Sequence, residues 1–267
     1  MYYIIITIIL GIIEGITEFF PISSTCHIMI FSKIFKIEAN EAKTLNLFMQ
    51  LGTSLSILLH FKNTFITLLY SLLKIKKKYT YNNHLSYYHI LLSIFPIALL
   101  GLYSHKYMQF IFNPKNILLS IICGSTLLML SEILKTRIKN KNTHINLIKS
   151  FTIGCFQCLA LFPGFSRSCS TISIGILIGL NQRVATYFSF IISVPIFFGA
   201  MILDIIHDVS TISHCNMCLL IIGFLSAFIT SKLCIRKCLK IVSTGSFIPF
   251  IIYRFMLSII IYVFFYH

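Results

Sequence analysis

Apolar residues recur in long runs from one end of this chain to the other. Six runs, at about 44–61, 85–104, 116–134, 184–206, 217–231 and 241–265, are each able to cross a membrane, whose hydrocarbon core is about 30 Å thick. Two further apolar stretches, 4–30 and 151–182, are interrupted in the middle by "FFPISST" and "LFPGFSRS". Each interruption carries a proline, which removes a backbone donor and clashes with the preceding helical turn. Hydroxyl residues follow that can cap a new helix. In lipid, such a break survives only where protein covers it or a wet cavity lies beside it. The pattern predicts an all-α polytopic membrane protein, one domain over residues 1–267, with six spanning helices and two re-entrant helical hairpins.

The two interruptions resemble each other. Phe20-Pro21-x-x-Ser24 matches Phe162-Pro163-x-x-Ser166, and "GIIEGITE" at 11 has a counterpart in "GCFQCLAL" at 154, with Glu14 opposite Gln157. Each half is a broken hairpin followed by three spans, about 1–134 and 145–267. An odd number of spans per half inverts the second half in the membrane. Inverted repeats of this kind place their site near the midplane, where the broken segments meet.

Composition agrees with a membrane location. The chain is 57% hydrophobic and 11% charged, against about 25% charged in soluble domains, and its mean hydropathy is +0.89. A net charge of +15 raises nucleic acid as a partner, but the basic residues sit between apolar runs, where membrane topology puts them, so no nucleic-acid binding is expected. Lysines and arginines gather at 62–84, 135–149 and a turn expected at 232–240, whereas 207–216 has none. The positive-inside rule makes the first three cytoplasmic and turns the first hairpin's open end outward. The N-terminal run lacks a basic region and is interrupted by Glu14, so it is expected to remain in the mature protein. The cysteine pairs 155/158 and 215/218 read as small polarizable fillers at helix interfaces.

The breaks hold the chemistry. Charged groups at membrane depth are functional by default. Glu14 and Glu18 lie at i and i+4 on one helical face, so either one is protonated or a cation lies between them. Ser23, Ser24 and Thr25 open the next helix, and His27 stands at i+3 from Ser24, within reach of that hydroxyl or its ligand. In the second break Gly164, Ser166, Arg167 and Ser168 bring backbone N–H groups, hydroxyls and a guanidinium to a helix start, an anion site of phosphate size. Arg254, near the middle of the last run, reads as a further phosphate or carboxylate contact. Carboxylates and phosphates repel unless a divalent cation, Mg²⁺ or Ca²⁺, joins them. The expected ligand is a lipid phosphate or diphosphate, and the expected chemistry is phosphate hydrolysis. Inverted repeats and broken helices are also transporter features, which leaves a polyprenyl-phosphate transporter or flippase as the alternative.

"EGITEFFPISSTCH", "FMQLG", "GCFQCLALFPGFSRS" and "SFIPFIIYRF" together resemble the undecaprenyl-diphosphatase family of bacterial bacitracin-resistance membrane phosphatases, over essentially the whole chain. The resemblance implies dephosphorylation of undecaprenyl diphosphate to the carrier monophosphate used in peptidoglycan synthesis. It implies an inner-membrane protein with an outward-facing, periplasmic site, a divalent-cation requirement and homodimers. It makes Glu14 and Glu18 the acidic pair, for metal or proton transfer, and Ser24 and His27 the nucleophile and base candidates with Thr25 beside them. Ser166 and Arg167 would hold the diphosphate, with Arg254 assisting. The residues leave open whether a covalent phosphoserine forms or water attacks directly. Cys26, Cys169-Ser170 and Phe162 depart from the family pattern, and the first two are expected to add bulk near the site and slow turnover.

Overall fold

A computed structural model describes residues 1–73, 85–104, 114–137, 143–207 and 216–266. They form α1 (Tyr2–Thr17), α2 (Ser24–Ile34), α3 (Ala39–His60), α4 (Lys62–Leu72), α5 (Tyr87–Ser104), α6 (Pro114–Lys135), α7 (Leu147–Gln157), a 3₁₀ turn (Cys158–Leu161), α8 (Arg167–Leu177), α9 (Gln182–His207), α10 (Met217–Thr244) and α11 (Ile248–Tyr266). Residues Lys115–Lys135, Gln182–Ile206 and Met217–Thr244 are long and apolar enough to cross a membrane, and Ala39–His60 with Lys62–Leu72 adds a fourth if that bent pair is one span. Tyr87–Tyr103 and Ile248–Phe264 are shorter apolar helices. Their outward faces are greasy: Phe95, Leu102, Ile202, Ile221, Ile252 and Ile259 are all exposed, as in a multi-pass membrane protein whose solvent is lipid.

Two boundaries differ from the pattern reading. The turn expected at 232–240 is helical, because "KLCIRKCLK" contains no helix breaker, and α10 runs unbroken for 28 residues to Gly245. Lys232, Arg236, Lys237 and Lys240 therefore stand on its last turns rather than in a loop. The stretch after His60 is not loop either: α4 leaves α3 at an angle of 81°. The expected features at 74–84, 138–142 and 208–215 lie outside the described residues.

The helix is broken in both of the stretches where the sequence predicts a break. α1 and α2 are separated by residues 18–23, and α7 with its 3₁₀ turn is separated from α8 by residues 162–166. Each first arm packs on a helix of the other half, α1 against α10 and α7 against α5. Glycine permits both approaches: a Cβ on Gly15 would lie 2.9 Å from the Ala227 carbonyl oxygen, and one on Gly154 would lie 2.8 Å from Ser93 Cα. Small residues at such contacts let backbones come close, which replaces the hydrophobic drive that lipid cannot supply. The Ser231 hydroxyl donates to the Gly15 carbonyl at 3.1 Å, and the Gln157 amide donates to the Ser93 carbonyl at 3.2 Å. In the second arms, Cys169, Ile172 and Ile174 of α8 join Phe188 and Phe247 in one apolar cluster, and Cys26 and Ile30 of α2 pack with Ile117 and Ile121 in another. The two breaks are thereby brought together.

Candidate functional site

The first break begins where α1 ends at Thr17, with Glu14 one turn back; the Glu18 amide donates to the Glu14 carbonyl at 3.0 Å. Phe19 is fully buried against Phe190, and Phe20 stacks on Phe250, so the turn after Glu18 is anchored on both sides by aromatic contacts. Ser23 then takes a left-handed conformation (φ 68°) as the residue before α2. A non-glycine residue held there is strained and is a feature of functional sites. Ser24 opens α2 and donates its hydroxyl to Glu18 Oε2 at 2.6 Å, in a buried setting.

The second break repeats this geometry. Gly164 has φ +97°, and a Cβ there would meet the Ile117 carbonyl oxygen at 2.8 Å, so glycine is required on both counts. Ser166 is left-handed (φ 71°) and caps α8 by accepting from the Cys169 amide at 3.3 Å. Its hydroxyl lies 3.1 Å from that of Ser168, which donates to the Phe20 carbonyl at 3.2 Å and ties the breaks together. Arg167 opens α8. It donates through Nη2 to Glu18 Oε1 at 3.1 Å and through Nη1 to the Ser189 carbonyl at 2.7 Å. Its guanidinium lies 5.2 Å from the Phe197 ring centroid, within cation–π range. Glu18 and Arg167 are 7% and 8% exposed. An ion pair this buried sets a large desolvation cost against its Coulomb attraction, and it survives because each partner has further hydrogen bonds.

Three residues are placed differently from the sequence reading. His27 does not meet Ser24, because both of its ring nitrogens are occupied: Nδ1 lies 2.7 Å from the Ser23 carbonyl and Nε2 lies 2.6 Å from the Tyr253 hydroxyl. Ser24 is paired with Glu18 instead. Arg254 makes no carboxylate contact among the described residues. It is 0% exposed, and its donors reach Ser125 Oγ and the carbonyls of Pro21, Ile121, Gly164 and Phe165, each at 3.0–3.1 Å. Through Pro21, Gly164 and Phe165 it braces both breaks. Thr25 is half-buried in the first turn of α2. The departing residues serve packing: Cys26 is buried beside Ile117 and Ile121, Cys169 Sγ reaches the Gly124 carbonyl at 3.1 Å, and Ser170 donates to the Phe156 carbonyl at 2.6 Å.

Sequence reasoning missed Ser189, Tyr253 and Ser125. Ser189 had a readable signal, since Thr186, Ser189 and Ser193 fall at i, i+3 and i+7 on an otherwise apolar helix, one face of a helix. Tyr253 and Ser125 had none, being single polar groups whose partners are remote in sequence.

Glu14 is 0% exposed, stands beside Glu18 and Ser24, and has no hydrogen-bond partner on either carboxylate oxygen among the described residues. A buried carboxylate with both oxygens orphaned calls for a proton or a cation. Two carboxylates with a neighbouring hydroxyl suit a hard divalent ion that keeps several waters and takes only one or two protein carboxylates. No group of three or more His, Cys, Asp or Glu side chains that could hold a metal occurs among the described residues. Beyond this pair, the start of α8 offers free backbone donors, hydroxyls and a guanidinium, and that is the equipment for an anion.

The family model described as bacitracin resistance protein BacA matches residues 7–260. A protein named undecaprenyl-diphosphatase from Buchnera aphidicola subsp. Baizongia pistaciae (strain Bp) is 53% identical over 260 residues, covering 97% of this chain and 96% of its own. One of the same name from Buchnera aphidicola subsp. Acyrthosiphon pisum (strain 5A) is 42% identical over 265 residues, 98% of both chains. Another, from Baumannia cicadellinicola subsp. Homalodisca coagulata, is 39% identical over 269 residues, again 98% of both.

Proposed function

The chain belongs to the bacitracin resistance protein BacA family, and from that premise we propose how its two breaks carry out the reaction. It is a membrane hydrolase that dephosphorylates undecaprenyl diphosphate to undecaprenyl phosphate and inorganic phosphate, in the service of peptidoglycan synthesis and bacitracin resistance. The observation that carries the mechanism is the buried line from Ser24 through Glu18 to Arg167, with hydrogen bonds of 2.6 and 3.1 Å.

Arg167 holds the terminal phosphate with its planar fork of donors, kept in place by the Ser189 carbonyl. Ser166, Ser168 and the backbone at Gly164 complete the anion cradle at the start of α8. Glu18 accepts from the Ser24 hydroxyl, which is the direction a general base requires. Attack on the terminal phosphorus forms a new P–O bond and breaks the bond to the bridging oxygen, so undecaprenyl phosphate leaves with that oxygen. The attacking group's proton passes to Glu18. The same carboxylate serves whether the Ser24 oxygen attacks, giving a phosphoserine that water then hydrolyses, or whether a water beside Ser24 attacks directly. Glu14 and Glu18 would hold the divalent cation, Mg²⁺ or Ca²⁺, which offsets the negative charge of carboxylates and diphosphate. His27 acts locally: its Nδ1–H holds the Ser23 carbonyl and with it the strained turn that presents Ser24.

The finer architecture belongs to the same proposal. Six spans and two re-entrant hairpins, arranged as inverted halves at about 1–134 and 145–267, are supported by the matching left-handed serines at 23 and 166. The reciprocal packing of α1 on α10 and α7 on α5 supports them too. With the basic segments cytoplasmic, the chain lies in the inner membrane with its site open to the periplasm, and it pairs as a homodimer. A transporter or flippase has no need of a hydroxyl, a base and a guanidinium in one line, so hydrolysis is the reading. Phosphate release from undecaprenyl diphosphate by detergent-purified protein tests it. Release with Mg²⁺ or Ca²⁺, lost with chelator and in Glu18→Gln, is expected. Folded protein that binds the lipid but releases nothing under any of these conditions would overturn it.

A further inference from the structure

Tyr253 stands next to Arg254 on α11, and its hydroxyl lies 2.6 Å from His27 Nε2. The two ring planes are nearly parallel, with an interplanar angle of 3° and centroids 5.6 Å apart. The ring's other nitrogen, Nδ1, faces the Ser23 carbonyl at 2.7 Å. A carbonyl oxygen can only accept, so Nδ1 must carry a hydrogen, and in the neutral ring Nε2 is then the acceptor. The tyrosine hydroxyl is the donor that this nitrogen receives. Which ring nitrogen is protonated is set by the hydrogen bond that the other makes; here the Ser23 carbonyl sets it, and the Tyr253 hydroxyl, able to donate or accept, donates to the nitrogen left bare. The other tautomer would point N–H at Tyr253 and turn a bare nitrogen lone pair toward the Ser23 carbonyl. That would release a left-handed residue that the chain does not favour.

We propose that Tyr253 is a positioning residue of the phosphatase site: its hydroxyl pairs with His27 Nε2 and holds the ring in place, so that the Nδ1–H fixed by the Ser23 carbonyl keeps Ser23, and with it Ser24, in reacting position. This rests on the proposed function for its kinetic consequence but not for its structural one. Tyr253 and Arg254 are consecutive, so one turn of α11 governs both breaks, Arg254 through the carbonyls of Pro21, Gly164 and Phe165 and Tyr253 through His27.

The test is Tyr253→Phe, alone and combined with His27→Gln, in full-length protein purified in detergent. With ¹⁵N-histidine labelling, and His27→Gln to assign the signal, the wild type is expected to show protonated Nδ1 and unprotonated Nε2. Tyr253→Phe is expected to shift or broaden both signals. It should lower kcat about tenfold at nearly constant KM, the size of effect typical when a histidine's orienting partner is removed. In the His27→Gln background the same substitution should cost nothing more. Unchanged nitrogen signals in Tyr253→Phe would overturn the inference. So would a loss of kcat that persists undiminished without His27, since that would mark a packing role. The nitrogen signals decide this point even if the wild type releases no phosphate, an outcome that would instead overturn the phosphatase reading.

Discussion

Glu18 and Arg167 are 149 positions apart in the chain, and their side chains meet at 3.1 Å in the buried centre of the molecule. Each belongs to a different broken hairpin, and each has a second partner there, Ser24 for the carboxylate and Ser189 for the guanidinium. A line of four polar groups thus crosses from one half to the other. Neither break alone holds both a base and an anion-binding charge.

Arg167→Lys is expected to behave as a damaging change. A lysine can keep the charge opposite Glu18 but cannot also reach the Ser189 carbonyl in the same fixed plane. Phosphatase kcat/KM should fall at least about tenfold with the fold intact. Arg167→Ala leaves Glu18 buried without its counter-charge, a loss of about 3–5 kcal/mol in comparable pairs, and should lower the thermal midpoint as well. Kinetics beside thermal unfolding in detergent separate the two variants.

Arg254→Lys should injure stability more than chemistry. This guanidinium donates five hydrogen bonds, four of them to backbone carbonyls in α6 and the two breaks. An ammonium has three donors and cannot serve them all. Each buried carbonyl left unpaired costs about 1–3 kcal/mol. The expected result is a clear drop in thermal midpoint, and activity at low temperature should fall less than in Arg167→Ala.

Gly124→Ala tests the same brace from the other side. A Cβ at 124 would press on the Arg254 guanidinium and lie 2.7 Å from the Phe165 carbonyl oxygen. Overpacking of this kind costs about 1–3 kcal/mol. The loss should shrink, without vanishing, when Arg254 is replaced by methionine, because the guanidinium clash is gone while the Phe165 carbonyl remains. Unfolding midpoints of the two single variants and the double variant measure this coupling.

Much of this site was legible before the structure because proline and serine in apolar runs are rare enough to stand out. "FFPISST" and "LFPGFSRS" marked the breaks, and Glu14, Glu18 and Arg167 marked the charges that needed partners. What could not be read was who the partners are. The bond from Ser24 to Glu18 depends on how the turn at 19–23 folds back, and helical spacing favoured His27 instead. Arg254 looked like a ligand contact because its acceptors are backbone carbonyls, which leave no trace in a sequence. The turn expected at 232–240 was misplaced because charge suggested a loop, whereas a helix ends where a residue such as Gly245 permits it.

Glu14→Gln should act through the cation. The substitution removes one of two carboxylates and leaves Glu18 its bonds to Ser24 and Arg167. Activity lost to chelator should return with Mg²⁺ or Ca²⁺ in the wild type. In Glu14→Gln, the concentration needed for half-recovery should rise about tenfold or more, in keeping with the dependence of hard-ion affinity on the number of charged ligands. Titrating each metal into chelated protein while following phosphate release gives the comparison.

The most direct test of the central claim, that two hairpins form one reacting centre, is a double-mutant cycle on kcat/KM for undecaprenyl diphosphate with Glu18→Gln and Arg167→Ala. Groups that act as one unit lose their function together, and removing the second adds little to removing the first. The account predicts that the double variant is within about threefold of the worse single variant. Losses that multiply, each residue contributing its full factor regardless of the other, would contradict it.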